Sequence, residues 1–238
     1  MIKEICTGCL SGVRWSGNHT HSAIRELLMK QVLCWIYDVS ELSDPLRFSR
    51  GMAALPWEER REKVMHFRFE KDRRLCLGAG LLAAEALRRA GATDLRLRFS
   101  EYGKPSLPAH PGIHFNLSHS GTLAVCAVSD EPVGVDTERL TAFSPEVASL
   151  CFQPREQAWL EAREDHDLAF TRLWTRKESW LKYLGTGLSL PAASFSALPG
   201  ETPGEGIALT EYAAGNHRIC VCARTGREVS FRFWQSGL

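Results

Sequence analysis

Apolar residues recur along this chain with helical and strand periods in alternating segments. Residues 1–30 show no sustained period and are interpreted as an N-terminal extension. Residues 32–39 form an apolar run of strand length. Helical patterns cover residues 56–64, opened by a proline, and residues 70–89, ended by Gly91. The first part of the chain is therefore predicted to be a strand followed by a long helix.

The middle of the chain has the pattern of several short strands. Residues 95–99 alternate apolar and polar side chains, as a half-buried strand does. The segment Tyr102-Gly103-Lys104-Pro105 predicts a turn that leads into extended backbone. Further strands are predicted at residues 113–117, 123–128 and 133–138, with turns at 118–121 and 129–132.

Helical signals return after residue 140. Ser144 followed by Pro145 is typical of a helix N-terminus, and another short helix is expected to begin near Pro154. Residues 167–184 form a helical pattern that Gly185 ends. The last predicted strands are residues 207–212, 218–223 and 229–234.

The order of strand, long helix and antiparallel strands thus occurs twice. This predicts an α+β fold with two similar lobes related by a pseudo-twofold axis, residues 31–131 and residues 132–238. A cleft at the seam between such lobes is a common place for a ligand site. We therefore expect the active site at the lobe interface.

Composition limits the class of protein. The net charge of +1 over 238 residues argues against a general nucleic-acid-binding protein, which is usually strongly basic. No apolar run reaches the length that spans a membrane, and the N-terminus lacks the apolar core of a signal peptide. These features predict a cytoplasmic protein.

The eight cysteines leave a zinc site open as an alternative. Cys6 and Cys9 form a CxxC pair with His19 and His21 nearby. Structural zinc sites usually close with a second well-spaced pair, which argues against zinc here. The other cysteines lie in apolar patterns and are interpreted as buried free thiols, as in a reduced compartment.

Two acidic residues lie in the predicted strand that opens the second lobe. Asp136 and Glu138 are two residues apart, so a strand directs both carboxylates to one face. They could form a solvated strand end. However, their neighbours Val133 and Val135 are apolar, and like charges this close are unfavourable without a cation between them.

A second pair lies on the last predicted helix. Glu178 and Lys182 are four residues apart and share one helix face, which also suits an exposed ion pair. Trp174 and Trp180 on the same helix predict that much of its surface is buried. Three carboxylates and a lysine suit a Mg²⁺ ion that holds substrate phosphates.

Two further segments suggest anion binding. Ser118 and His119 are adjacent and would point to opposite sides of a strand, so a serine hydrolase is disfavoured and a phosphate-binding turn is favoured. Lys71 and Arg74 open the long helix of the first lobe. They form either a solvated charge run or a phosphate contact.

These segments, taken in order, resemble one family. The four stretches 102–105, 115–120, 133–138 and 174–182 are similar to motifs of the 4′-phosphopantetheinyl transferases, and in particular of the two-lobed type that activates peptide and polyketide synthases. The resemblance covers residue 32 to the C-terminus. It implies transfer of the 4′-phosphopantetheine arm of coenzyme A to a serine of an apo carrier protein, with release of 3′,5′-ADP.

The resemblance also implies a role for each matching residue. Asp136, Glu138 and Glu178 would hold Mg²⁺, and Glu178, directly or through a water, would take the proton of the acceptor serine. Lys182 would stabilise the leaving 3′,5′-ADP. The residues expected to contact coenzyme A are Lys71, Arg74, Lys104, Ser118, His119 and Lys182.

The expected partner is an acyl or peptidyl carrier protein of a fatty-acid, polyketide or peptide synthase. Residues 143–159 could offer it an apolar docking strip, or could equally be ordinary core. Two internal lobes complete the cleft without a second subunit, so we expect a monomer. Two alternatives remain, namely another Mg²⁺-dependent phosphoryl-transfer enzyme and a non-catalytic module that binds carrier proteins.

Overall fold

The computed structural model describes residue 28 and residues 31–238. The cysteines and histidines of the possible zinc site at positions 6 to 21 therefore lie outside the described residues. The strands are β1 Gln31–Asp38, β2 Arg98–Phe99, β3 Pro105–Ser106, β4 His114–Ser120, β5 Leu123–Ser129, β6 Gly134–Arg139, β7 Ile207–Ala214, β8 His217–Arg224 and β9 Glu228–Phe233. The α-helices are α1 Pro45–Ala54, α2 Glu58–His66, α3 Glu70–Arg89, α4 Pro145–Cys151, α5 Pro154–Glu161 and α6 His166–Leu184.

Two sheets form the centre of the molecule. The first sheet has the strand order β4-β5-β1-β9, and the second sheet has the order β6-β8-β7. β1 runs antiparallel to β5 and parallel to β9. β2 and β3 form a separate short hairpin.

The sheets and helices stack in four layers. One face of the first sheet packs against α3 through a core that includes Trp35, Leu82 and Cys126. Its other face packs on the second sheet through alternate residues of the same strands, in a core that includes Ile36 of the first sheet and Val221 of the second. α6 covers the far face of the second sheet. The order of layers is therefore helices, first sheet, second sheet, helix.

The edge strands of the two sheets meet through side chains. The Asn116 side chain on β4 accepts a hydrogen bond from the backbone of Val135 on β6 at 3.0 Å. Ser120 on β4 accepts one from the backbone of Arg139 at 3.1 Å. This junction, the β4–β6 seam, brings the two halves of the chain together.

α6 is held against its surroundings by buried ion pairs. Lys177 of α6 and Glu156 of α5 are both fully buried, and Lys177 Nζ lies 2.7 Å from Glu156 Oε2. The Lys177 ammonium also donates to the carbonyl oxygens of Ala192 and Phe195, each at 2.7 Å. These contacts satisfy the buried charges, as a buried pair requires.

Most predicted elements are present, with differences in extent. Helix 70–89 agrees with the prediction in both bounds, and Ser144 Oγ accepts a hydrogen bond from Val147 N at the start of α4. The predicted strand 95–99 forms ladder bonds only over Arg98–Phe99. The predicted turn 118–121 was wrong, because β4 stays paired with β5 through Ser120. Helix Pro45–Ala54 was not predicted.

The last strand, which belongs to the predicted C-terminal lobe by sequence, is part of the first sheet. β9 pairs with β1 in the first sheet, and Trp234 N donates to Ile36 O at 2.8 Å. The chain crosses from the second sheet to the first in the short turn between Arg224 and Glu228. Hydrophobic alternation predicts which face of a strand is buried but does not name its neighbour. A division of the chain at residue 131 thus does not separate the two sheets.

Within the described residues, no helix is long and apolar enough to cross a membrane. The thiols of Cys34, Cys76 and Cys126 are buried and unpaired, as the apolar patterns predicted, whereas Cys151 is only partly buried.

Candidate active site

Two carboxylates of β6 lie at the β4–β6 seam. Asp136 is only 1% exposed, whereas Glu138 is partly exposed. The strand alternation predicted from the sequence places both on the face that α6 covers. Their neighbours Val133 and Val135 fill the core between the sheets, which fixes the strand's orientation.

β4 provides a hydroxyl for each carboxylate. Ser118 Oγ donates to Asp136 Oδ1 at 2.8 Å, and Ser120 Oγ donates to Glu138 Oε2 at 2.8 Å. The two serines are two residues apart on one strand and the two acids are two apart on the other, so the pairs match in register. A role for Ser120 was not foreseen, although its spacing from Ser118 was visible.

Lys182 reaches this pair from α6. Its Nζ is 2.6 Å from Asp136 Oδ1 and 2.9 Å from Ser118 Oγ. The alternative of an exposed ion pair between Lys182 and Glu178 is not what forms, because the salt bridge of Lys182 goes to Asp136. A buried carboxylate needs a counter-charge, and this contact supplies it.

Glu178 completes an acid cluster that we define as Asp136, Glu138 and Glu178. Burial raises the pKa of Glu138 to about 7, and the charges of Asp136 and Glu178 add to the increase. Burial also raises the pKa of Glu178; Lys182 opposes this increase and Asp136 adds to it. The three carboxylates therefore repel one another in a partly dry site.

The acid cluster has features that fit a divalent cation. Asp136 Oδ2 is buried and has no hydrogen-bond partner. Carboxylate oxygens are the ligands that Mg²⁺ prefers. In the part of the chain that the structure describes, no three aspartate, glutamate, histidine or cysteine side chains are close enough together to enclose a metal ion. The carboxylate oxygens and the unsatisfied Asp136 Oδ2 fit a divalent metal. In this structure the counter-charge of Asp136 is the ammonium of Lys182.

A group of cations lies beside the acid cluster. The surface of His119 on β4 is exposed to solvent, but neighbouring groups partly desolvate its imidazole, and this desolvation lowers its pKa, as do the nearby charges of Arg60, Lys182 and Lys63. Arg60 and Lys63 lie on α2 and Lys182 lies on α6, so two helices contribute cations around the His119 imidazole, whose lowered pKa favours its neutral form. Adjacent cations of this kind suit a polyphosphate.

Arg60 and Lys63 were missed from the sequence. They lie in the run Glu58-Glu59-Arg60-Arg61-Glu62-Lys63, which has the composition of an ordinary solvated helix. The Arg60 guanidinium is held by the carbonyl oxygen of Cys76 at 3.0 Å, and its stem lies over Gly80 of α3. Only the packing of α2 on α3 directs these residues to His119.

Lys71 and Arg74 make contacts away from the described cations. Lys71 is exposed, with Nζ 5.8 Å from the ring centroid of Phe69. Arg74 lies 4.0 Å from Glu70 on the same helix. Neither contact involves His119 or the acid cluster, and a phosphate contact by these residues stays a prediction.

Lys104 lies at a cleft beside the β2–β3 hairpin. This hairpin cleft has a volume of about 460 Å³ and is lined on one side by Phe99, Lys104 and Pro105 and on the other by Tyr183 and Gly185. It therefore opens between the hairpin and the end of α6. An aromatic and a proline facing a polar rim suit a nucleoside.

A larger cavity of about 570 Å³ lies under the beginning of α6, with Trp159, Leu168 and Tyr212 in its wall. Cys220 also lines it and is the strand partner of Asp136. The cavity includes no member of the acid cluster, and we regard the seam as the candidate site.

The predicted docking strip is partly exposed. Leu150 is 76% exposed, whereas Phe152 of the same strip is only 1% exposed and belongs to the core under α6. Trp159 is partly covered by Arg163, whose guanidinium lies 4.5 Å from its ring centroid. The strip therefore contains one buried apolar residue, Phe152, and one exposed apolar residue, Leu150.

Comparison with known sequences gives matches over both halves. Residues 132–223 match the family described as "4'-phosphopantetheinyl transferase superfamily". Residues 44–131 match the family described as "4'-phosphopantetheinyl transferase, N-terminal". The two matches meet between residues 131 and 132.

Three curated relatives illustrate the similarity. A 4′-phosphopantetheinyl transferase of Bacillus subtilis is 40% identical over 62% of this chain and 67% of its own length. The 4′-phosphopantetheinyl transferase Sfp of Bacillus subtilis (strain 168) is 38% identical over 58% of this chain and 64% of its own. The 4′-phosphopantetheinyl transferase HetI of Nostoc sp. is 32% identical over 68% of this chain and 72% of its own. The chain thus spans about two thirds of the length of these relatives.

Proposed function

Because the chain belongs to the 4′-phosphopantetheinyl transferase superfamily, we propose that it transfers the 4′-phosphopantetheine arm of coenzyme A to an apo carrier protein. The observation that carries the proposal is the network in which Lys182 contacts both Asp136 and Ser118 beside two further carboxylates. The acceptor is a serine hydroxyl, and the second product is 3′,5′-ADP.

In this reaction one phosphorus–oxygen bond is exchanged for another. The serine Oγ bonds to the phosphorus next to the pantetheine, and the bond from that phosphorus to the 3′,5′-ADP portion breaks. The hydroxyl proton passes to Glu178, either directly or through a water molecule. Burial raises the pKa of Glu178, whereas a Mg²⁺ ion bound to its carboxylate would lower its affinity for a proton, and a water molecule would then accept the proton instead.

Asp136, Glu138 and Glu178 are the proposed holders of Mg²⁺. When bound, the ion neutralises phosphate oxygens and aligns them for displacement. Ser118 and Ser120 orient the Asp136 and Glu138 carboxylates through their hydroxyls. Lys182 then has the position to stabilise charge on the departing 3′,5′-ADP.

The other parts of coenzyme A are matched to the protein by the charge and shape of its surface. Arg60, Lys63 and the His119 imidazole would contact its phosphates, since the charges of Arg60, Lys63 and Lys182 all act on His119. The hairpin cleft at Lys104 would take the adenosine. Residues 143–159 would dock the carrier, with Leu150 as an exposed apolar contact. The protein would act as a monomer in the cytoplasm.

The direct test uses apo carrier proteins of the acyl and peptidyl types. Each is incubated with the protein, coenzyme A and Mg²⁺ and then weighed by mass spectrometry. We expect one phosphopantetheine arm to be added to the carrier serine, and a serine-to-alanine carrier is the control. Carriers that bind but stay unmodified would instead support a non-catalytic module. Hydrolysis of a phosphate compound without carrier modification would indicate a different phosphoryl-transfer enzyme.

A further inference from the structure

Lys104 connects three segments that are distant in sequence. It follows the turn between β2 and β3, yet its ammonium donates to the carbonyl oxygen of Tyr183 at 2.8 Å and of Val133 at 3.2 Å. Tyr183 lies in the last turn of α6, where carbonyl groups have no partner within the helix. Val133 immediately precedes β6. The ammonium thus joins the hairpin to both elements that carry the acid cluster.

β6 and α6 touch through their backbones at the same place. A Cβ added at Gly134 would lie 2.1 Å from the carbonyl oxygen of Ser179 and 2.4 Å from the nitrogen of Tyr183. Asp136 is two residues further along β6, and Lys182 directly precedes Tyr183. The geometry of this crossing therefore sets the 2.6 Å contact between Asp136 and Lys182.

Lys104 lines the hairpin cleft, and its ammonium is engaged by two backbone carbonyl oxygens. Its Cδ would lie 2.8 Å from a Cβ added at Gly185, which ends α6 with a φ of 73°. The hydrogen bonds to the two carbonyl oxygens use two of the three N–H donors of the ammonium, which are then not available to a phosphate. Burial lowers the pKa of Lys104 to about 8, consistent with an amine enclosed by backbone.

We propose that Lys104 is a positioning residue that fixes the crossing of β6 and α6. It acts on the Asp136–Lys182 pair through Val133 and Tyr183 and is not a ligand of the coenzyme's phosphates. The hairpin that borders the cleft is thereby coupled to the residues that carry out the transfer. The inference rests on the proposed transferase function.

The test compares two variants of the full chain. Lys104→Met keeps the stem and removes the ammonium, whereas Lys104→Arg keeps donors for both carbonyl oxygens. We measure kcat and KM for coenzyme A at saturating carrier, and the Kd of coenzyme A without carrier by calorimetry. Arg88→Met, which removes an exposed charge from α3, is the matched control.

We expect Lys104→Met to lower kcat about 10- to 100-fold, as misplacement of catalytic groups does, with the Kd of coenzyme A nearly unchanged. Lys104→Arg should restore much of the lost kcat, and Arg88→Met should match the wild type. A weakened Kd with unchanged kcat would identify a direct ligand and overturn the proposal. If kcat and the Kd of coenzyme A are both unchanged in Lys104→Met, the proposal is overturned as well.

Hydrogen exchange gives a readout independent of activity. The amide of Gly185 donates to the carbonyl of Leu181 at 2.9 Å, and its exchange reports on the end of α6. Faster exchange there in Lys104→Met supports the positioning role, and unchanged exchange contradicts it. If the wild type transfers nothing, the proposed function fails, and the exchange result still decides this inference. Should Lys104→Met fail to fold, Lys104→Gln takes its place in the same measurements.

Discussion

At the scale of single residues, the two carboxylate oxygens of Asp136 differ sharply in their contacts. One of its oxygens bonds to Ser118 and Lys182, while the other is buried without a partner. Such an oxygen costs free energy unless another group satisfies it. This arrangement is expected where a cation joins the network on binding.

Removal of either of two acids should abolish transfer. Asp136→Ala deletes the partner of Lys182 and a proposed metal ligand, and Glu178→Gln deletes the proposed proton acceptor. We expect each to lower kcat at least about 100-fold, the usual loss for a group that acts in the transition state.

Carrier modification by mass spectrometry measures this loss, and circular dichroism checks that the fold is kept. Glu161→Gln, an exposed acid of α5, serves as the control and should retain activity. Turnover near the wild-type rate in Asp136→Ala or Glu178→Gln would mean that the acid cluster is misassigned.

The period of a strand predicted the shared face of Asp136 and Glu138, which the structure has. The same reasoning did not predict the partner of Lys182, because an i,i+4 spacing makes Glu178 available but does not exclude a carboxylate from another element. Arg60 and Lys63 had no distinguishing pattern at all. Their orientation depends on how α2 packs on α3, which is a non-local property.

At the scale of elements, the crossing of β6 and α6 depends on a glycine. Gly134 lies so close to the last turns of α6 that a methyl group has no room. Backbone atoms of Ser179 and Tyr183 form the contact and cannot rotate away as side chains can. Close approach of two backbones is a common reason for a glycine in a strand.

Gly134→Ala should therefore separate β6 from α6. We expect a loss of about 1–3 kcal/mol in the free energy of unfolding, typical of overpacking, together with lower kcat because Asp136 moves relative to Lys182. Gly112→Ala is the matched control, since nothing lies within 4 Å of its added Cβ. Urea unfolding and the carrier assay measure both effects. Equal stability of the two variants would contradict the close-contact argument.

The capping residues at the ends of several helices predicted where those helices begin or end. Ser144 caps α4 through a side-chain hydrogen bond, and Gly185 ends α6 in the left-handed conformation, as their residue types predicted. α1 has the same kind of signal, because Asp44 accepts bonds from Leu46 and Arg47 ahead of Pro45. The helix was overlooked although its capping residue was visible.

At the scale of the whole molecule, the last strand returns to the sheet that contains β1. β9 lies parallel to β1, and its Phe231 stacks on Tyr212 of β7 with ring centroids 4.6 Å apart. The last strand thus joins the edges of both sheets on the side opposite the β4–β6 seam.

A chain that ends at Arg227 should be strongly destabilised. It loses β9 and the buried parts of Phe231 and Trp234, which are partly buried and together contribute about 1.5–3 kcal/mol. Thermal unfolding by circular dichroism measures the change. A chain ending at Trp234 keeps the strand and its bond to Ile36, so it should be much more stable. Equal stability of the two truncated chains would show that β9 is dispensable.

The sequence by itself determined the periods, the helix ends and the residue types of the acid cluster, because each is a local property of a few neighbouring side chains. It also carried the motifs that indicate the family. Only the tertiary structure decided that β9 joins the first sheet, that Lys182 pairs with Asp136, and that Arg60 and Lys63 stand beside His119. These contacts join residues far apart in the chain, and their geometry follows from the packing of whole elements.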